Sequence, residues 1–310
     1  MTSLEFYCHD VLEQRPATGT FLFNRAEHLL LQSHTGWRAY VIRSVGTNET
    51  VAQIFFNVSD GIARSPFSAP FGSLEIYQAV EQFVLEEFFE YVLNDLKHLA
   101  VNRIEIKNYP TAYHPNSAHS IKAVLKKLNF QVRVEVTSII SVNGMGFEKR
   151  IETSQRQKLK KSNQQFLFTQ VGIDELKSCY DFIFDCREEK NQSLSMTFPQ
   201  LKRTVDRLSD DFLLFKLSNE QETAACGIVV RVSEKVLYTF YYAHNPKFSK
   251  VSPIVQLISG IYQYAQHLHF DLIDLGTSMI GSNINESLLK FKASIGGQTS
   301  EKYIFSKNIE

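Results

Sequence analysis

Residues 252–276 read SPIVQLISGIYQYAQHLHFDLIDLG, and this stretch decides the fold. Ser252-Pro253 opens a helix: a serine side chain can take up free amide groups, and proline suits the first turn, where a missing N–H costs nothing. Ile254, Leu257, Ile258, Ile261, Tyr264, Ala265 and Leu268 recur at steps of three and four, so a helix from about 252 to 270 buries one face. LIDLG follows as a short apolar strand closed by Gly276. Upstream, VLYTFYYA (236–243) is aromatic and β-branched, the composition of a buried strand. Downstream, Leu288, Leu289 and Phe291 begin a short helix that stops at Gly296-Gly297. Strand, helix, strand, helix with a right-handed crossover makes a half-sheet with a groove at its strand ends.

The totals narrow the function. At 310 residues the chain has room for two domains, and 44% hydrophobic residues support real cores. Lysine plus arginine equals aspartate plus glutamate, so the net charge of zero argues against strong non-specific attraction to nucleic acid, DNA and tRNA alike, or to anionic membranes, while leaving room for a local basic patch. Cys8, Cys179, Cys186 and Cys226 have no metal-ligand spacing, so no metal is expected. Cys179 and Cys186 read as core-facing thiols, and a reducing cytoplasm is the expected location. MTSLEFYCHD has no apolar signal region, and no uninterrupted apolar run suits a membrane span. GxSxG, Walker A and HExxH patterns are absent.

Working outward, Phe21 to Gln32 reads as one short helix. Strands are expected at 37–45, 50–57 and 61–65, then a rigid loop PFSAPFGS (66–73). A long helix from about Leu74 to Leu99 carries the stripe Val80, Phe83, Val84, Phe88, Val92 and Leu96. Strand 103–108, helix 119–128 and strand 131–142 complete the first half. Residues 144–165 are polar and basic and read as a helical linker. Strand 166–171, helices 173–190 and 198–208, strands 212–217 and 224–232, and a closing strand 299–306 make up the second half. The halves share their order of elements, with 71–108 matching 248–277 and 120–142 matching 287–307, a pattern of internal duplication. The expected boundaries are 1–143, a linker at 144–165, and 166–310. The fold class is α/β (α+β), with mixed sheets flanked by helices.

The second half resembles the GNAT acyltransferase fold, and the tandem of two such halves resembles the Fem-type peptidyltransferases and their acetyltransferase relatives. TSQRQKLKKSNQQFLFTQV (153–171) looks like the basic helix that opens the second Fem domain. The Ser-Pro, helix, D-x-G run of 252–276 is similar to the one following the fourth strand there. LLKFKASIGG (288–297) resembles the signature L-x-x-F-K-x-x-F-G-G, with Ile295 at the second phenylalanine. The resemblance implies acyl transfer to an amine, a small molecule or cell-envelope precursor, from acyl-CoA, with aminoacyl-tRNA as the alternative donor and a degenerate, non-catalytic GNAT that binds a ligand or partner as the third reading. GNAT enzymes cradle the coenzyme pyrophosphate on a glycine-rich turn before the long helix. Here that turn is HNPKFSKVSP (244–253), without glycine, leaving Lys247, Lys250 and Ser252 to hold an anion. The two-helix arm that some Fem proteins insert is missing, since 173–208 holds only a helix pair.

Acyl transfer needs an oriented carbonyl, a group for its oxyanion and a base for the amine proton. Lys292 matches the signature lysine and so takes the oxyanion role. Tyr242 and His244 share one face at the end of their strand, with Tyr241 beside them, and His244 is placed to act as base. Asp274 is a carboxylate inside an apolar strand, which must be paired or functional. Thr277 and Ser278 can donate to substrate or cap the following helix. In the first half Arg64, Tyr109, Tyr113 and His114 are candidates for the acceptor side. Arg156, Lys158, Lys160 and Lys161 form a basic face whose ordinary role is solvation and whose functional role is contact with RNA or a nucleotide-linked acceptor.

Overall fold

The structure, a computed structural model, describes residues 4–10 and 21–309. The chain divides into two compact units, one of residues up to Val136 with those from Ser300 on, the other Thr137–Thr299. Unit 1 contains β1 (Leu4–Asp10), α1 (Ala26–Gln32), β2 (Trp37–Ser44), β3 (Thr50–Ser59), β4 (Ile62–Ser65), β5 (Glu75–Ile76), α2 (Gln82–His98), β6 (Arg103–Pro110) and α3 (Pro115–Lys127). Unit 2 contains α4 (Thr153–Asn163), β8 (Leu167–Val171), α5 (Leu176–Glu188), α6 (Phe198–Arg207), β9 (Phe212–Ser218), β10 (Thr223–Arg231), β11 (Val236–His244), α7 (Pro253–His267), β12 (Leu272–Thr277), a ribbon of β13 (Met279–Ile280) and β14 (Asn283–Ile284), and α8 (Glu286–Ser294).

Each unit has a mixed sheet flanked by helices. In unit 1 the strands run β1, β2, β3, β4, β6 and then β15 (Gln298–Asn308). All neighbours are antiparallel except β4 and β6, joined through α2. In unit 2 the order is β8, β9, β10, β11, β12 and then the end of β7 (Gln131–Ser141). Again one pair is parallel, β11 with β12, joined by α7. The two units therefore repeat one strand order, but their closing strands are exchanged relative to the order along the chain. Phe305 of β15 pairs with Ile106, and Ile140 of β7 pairs with Ile273. The sequence order assigns 137–143 to the first half and 300–310 to the second, whereas the compact units take them the other way round.

The helix quoted first is α7. Leu257, Ile258 and Ile261 are fully buried, and each contributes roughly 1.5–3 kcal/mol by leaving water. One buried face was expected, yet every residue from Pro253 to Tyr262 is buried. The second face is covered by α4, where the Ser162 hydroxyl donates to Gln256 Oε1 at 2.6 Å. Gln256 Nε2 in turn donates to the Phe166 carbonyl at 2.9 Å. The expected linker is thus part of the core of unit 2: Gln155, Leu159 and Ser162 face inward, while Arg156, Lys160 and Lys161 remain exposed. Cys179 and Cys186 are buried on α5 and unbridged.

Other expectations in unit 1 need correction. Phe21 to Gln32 is broken by extended backbone at Arg25, giving a short 3-10 turn at Leu22–Asn24 before α1. Strand β1 was not anticipated. The long helix starts at Gln82 rather than near 74, because Glu75 and Ile76 pair with β3. Phe83 is exposed, so it does not belong to the buried stripe.

Candidate active site

Strands β11 and β12 pair in register at Val236, Leu237 and Tyr238 with Leu272, Ile273 and Asp274, and then pair no further. The strands splay from there. Along β11, Leu237 and Thr239 face α7 and Tyr238 faces the other side; beyond the register shift at Phe240 the order inverts, so that Tyr242, opposite Gly227, faces α7 while Tyr241 stacks on Phe240 at 4.0 Å on the other side. A register shift in the pairing with β10, between Ile228 and Val229, leaves Phe240 unpaired and bends the strand there. Thr239 Oγ1 donates to the Asp274 carbonyl at 3.0 Å and ties the two strands together at the mouth of the splay.

Lys292 lies at this mouth. It is 1% exposed, on the inward face of α8. Its Nζ donates to the carbonyls of Gly276 at 2.8 Å and Thr277 at 2.9 Å. An ammonium has three N–H groups, so one donor remains beyond these two. Burial lowers its pKa from 10.5 to about 8, with Asp274 pulling the other way. The lysine is therefore mostly cationic at neutral pH. Gly276 has φ +76, the left-handed conformation that favours glycine, and this turns its carbonyl to Lys292. A Cβ there would sit 3.4 Å from the Tyr238 ring and 3.7 Å from its hydroxyl, so the Tyr238 phenol stands beside the same turn. The glycine stop was correctly placed: Gly296 has φ +87, and the Gly297 amide donates to the Lys292 carbonyl at 2.9 Å, ending α8.

Asp274 is 4% exposed. Its Oδ1 accepts from the Gly276 amide at 2.6 Å and from Thr137 Oγ1 at 3.0 Å. The carboxylate thus holds the turn that presents the carbonyls to Lys292, which is a positioning task rather than proton transfer. His244 makes a 3.2 Å contact from Nε2 to Ser249 Oγ. Burial and the charge of Lys190 lower its pKa to about 4, so the ring is neutral at pH 7 and an accepting nitrogen is available. Tyr242 is pushed up to about 12 by burial, against the Arg187 charge, and keeps its proton. Tyr241 points the other way and binds the loop before α6, at 2.6 Å to Ser195 Oγ and 2.9 Å from the Met196 amide. Thr277 offers its carbonyl to Lys292, while its side chain lies in an exposed position. Ser278 is fully buried and its hydroxyl has no partner among the described residues.

The stretch expected to hold an anion, 244–253, is a tight turn leading into α7. Pro246–Val251 form a 3-10 turn whose amides are spent within it: Lys247 N donates to Asn245 Oδ1, Phe248 N to the Asn245 carbonyl and Ser252 N to the Ser249 carbonyl. Lys247 pairs with Glu222 at 2.5 Å. Ser252 takes the N-cap position in a left-handed conformation (φ 49), and its side chain caps nothing. Lys250 is exposed.

In unit 1, Tyr109 and Tyr113 are 1% and 8% exposed, stacked on each other and against Phe21 and Phe71. They are core rings rather than acceptor-facing ones, because the loop at 66–73 folds Phe71 onto them. His114 packs against the same rings. Arg64 is held by Glu105 at 3.8 Å and Ser59 at 3.5 Å.

Comparison with solved structures places this architecture. FemX superposes with a TM-score of 0.69 at 14% identity, covering 98% of this chain and 97% of that one. The fold is that of FemX and the tandem GNAT proteins. L-PGS from Bacillus licheniformis matches with a TM-score of 0.58 at 10% identity, covering 97% of this chain and 90% of that one. A tandem GNAT protein from the clavulanic acid biosynthesis pathway matches with a TM-score of 0.50 at 10% identity, covering 99% and 98%. Neither a family model nor a curated protein sequence matches the chain. Among the described residues, no helix is long and apolar enough to cross a membrane.

One residue beside the Gly276 turn was missed from sequence. Tyr238 carried a signal, since it is an aromatic residue of the same strand, four positions before Tyr242.

Proposed function

We propose that unit 2 transfers an acyl group to an amine and that its donor is an aminoacyl ester carried on RNA rather than the acyl thioester of coenzyme A. The observation that carries the reaction is Lys292: a buried ammonium with two of its donors fixed by carbonyls and a third to spare at the mouth of the β11–β12 splay. Attack of the amine on the donor carbonyl places negative charge on the carbonyl oxygen, and a pre-oriented ammonium in a water-poor site stabilises it. The proton lost by the amine passes to His244, whose imidazole is neutral at pH 7. Collapse of the tetrahedral intermediate expels the donor's oxygen and leaves the amide.

Two features favour the RNA-borne donor. The turn 246–251 spends its amides internally, as described above. The basic face of α4 (Arg156, Lys160, Lys161) is exposed and pairs with no carboxylate among the described residues, which suits phosphates. The likeness to FemX supports the same side through the Fem resemblance. The thioester reading is favoured by the likeness to a tandem GNAT protein, and one experiment separates the two. Purified protein is titrated with aminoacylated tRNA in a gel-shift assay and with acetyl-CoA in a thermal-shift assay. Retardation of tRNA with no thermal shift by acetyl-CoA is expected; stabilisation by acetyl-CoA with no tRNA binding overturns the donor assignment.

A further inference from the structure

Lys292 lies in the last turn of α8, a helix of only nine residues, and the start of α4 is fastened to that turn. The Glu152 amide donates to the Ser294 carbonyl at 3.0 Å. The buried side chain of Gln155 donates from Nε2 to Ser294 Oγ, also at 3.0 Å. Ser294 Oγ donates its own hydrogen to the Phe291 carbonyl at 2.7 Å, which leaves its oxygen to accept from Gln155 and fixes which way the Gln155 amide points. Just beyond, a Cβ at Gly296 would come within 3.1 Å of Arg150 Cβ, so the segment leading into α4 also lies against the end of α8. Phe291 precedes Lys292 and Ser294 follows it by two residues, so these bonds hold the backbone on both sides of the lysine.

Stability does not explain a glutamine at this position. Its Oε1 is buried and has no partner among the described residues. Leaving one end of an amide unpaired in the interior costs at least as much as the other end gains from one hydrogen bond. Leu159, the next residue along the inward stripe of α4, is fully buried and shows that an apolar side chain packs on this face. What glutamine adds is direction: a hydrogen bond fixes distance and angle, where apolar contact fixes only proximity. The carbonyls of Gly276 and Thr277 hold the head of Lys292, and the bonds to Ser294 hold the turn from which its stem grows. A donor to a developing oxyanion works through a position fixed before the charge appears.

We infer that Gln155, acting through Ser294, is a positioning residue for Lys292. The helix whose outer face carries Arg156, Lys160 and Lys161 thus also sets the oxyanion group from its inner face. The positioning role rests on the acyl-transfer reading of Lys292; the brace between α4 and α8 does not.

The test compares wild type with Gln155→Met, Ser294→Ala, the double variant, and Ser162→Ala, which removes a second buried hydrogen bond of α4, the one to Gln256. Transfer is followed with aminoacylated tRNA and with acetyl-CoA as donors and with amino acids, amino sugars and polyamines as acceptors. Hydrogen exchange of the peptide covering 286–297 reports on α8 without reference to activity. Gln155→Met is expected to keep the wild-type melting temperature, to lower kcat by about tenfold and to leave KM for the donor within about twofold. Ser294→Ala should lower kcat in the same way and carries the test should Gln155→Met not fold. The double variant should lose no more than either single one, since each breaks the same link. Exchange in 286–297 should quicken in these three and stay at the wild-type rate in Ser162→Ala, along with its kcat. Unchanged kcat in Gln155→Met, an equal loss in Ser162→Ala, or losses that multiply in the double variant overturns the inference. Unchanged exchange overturns the brace itself. Quickened exchange with no transfer by any protein, wild type included, upholds the brace and overturns the acyl-transfer reading, and the positioning role with it.

Discussion

Replacing Lys292 by methionine removes a buried charge while keeping most of the side-chain volume. The fall of its pKa from 10.5 to about 8 means that the folded protein binds this proton less well than the unfolded chain, by roughly 3 kcal/mol. Below pH 8 both states carry the proton, and the full burial cost is present. Between pH 8 and 10.5 the unfolded chain holds the proton and the folded one has released it, so stability rises with pH. The methionine variant lacks this rise. It also forfeits two charge-assisted hydrogen bonds, to Gly276 and Thr277, worth about 1.5–3 kcal/mol each. Near pH 7 the relief and the loss largely offset, and wild type and variant should differ by no more than about 2–3 kcal/mol. By pH 10 the wild type should have gained most of roughly 3 kcal/mol over the variant. Urea unfolding followed by far-UV circular dichroism at pH 7, 8, 9 and 10 measures this. The single tryptophan, Trp37, belongs to unit 1 and would report the wrong unit. A difference that stays flat from pH 7 to 10 would refute the buried-ammonium reading.

Other expectations follow from the same geometry. His244→Gln keeps a polar side chain but loses the basic nitrogen; turnover should fall by on the order of 100-fold, measured at saturating acceptor, with little change in melting temperature. Gly276→Ala forces a side chain into φ +76 and against Tyr238, so urea unfolding should show a loss of about 1–2 kcal/mol, along with reduced turnover. Glu75 in unit 1 is buried beside the Phe21 amide and Asn24, and burial raises its pKa from 4.5 to about 8. Stability should therefore fall as pH rises from 4.5 towards 8, and Glu75→Gln should flatten that slope in thermal unfolding.

Much of unit 2 was legible because its apolar spacing is set by one packed helix. The stripe of α7, the strand before it and the glycine stops after α8 follow from local rules. Lys292 was legible only through its place in the L-x-x-F-K signature, since spacing alone makes it a surface lysine; its 1% exposure depends on α8 docking beside β12. The exchange of β7 and β15 left no trace in the sequence, because a strand's pattern says which face is buried and not which partner it pairs with. The start of α2 was misplaced because Glu75 looks like a helix residue, yet its carboxyl is turned inward to bind Phe21 and Asn24. Tyr109 and Tyr113 were read as loop aromatics, whereas long-range contacts with Phe21 and Phe71 bury them.

The central claim is that Lys292 in unit 2 drives acyl transfer from an RNA-borne aminoacyl ester to an amine. The most direct measurement follows radiolabelled amino acid from a pool of aminoacylated tRNA to a panel of amine acceptors, with wild-type and Lys292→Met proteins side by side. Label should appear in amide linkage with wild type and fall by 100-fold or more in the variant, as for loss of one oxyanion donor. Equal transfer by both proteins, or label that stays on the tRNA while acetyl-CoA is consumed, would contradict it.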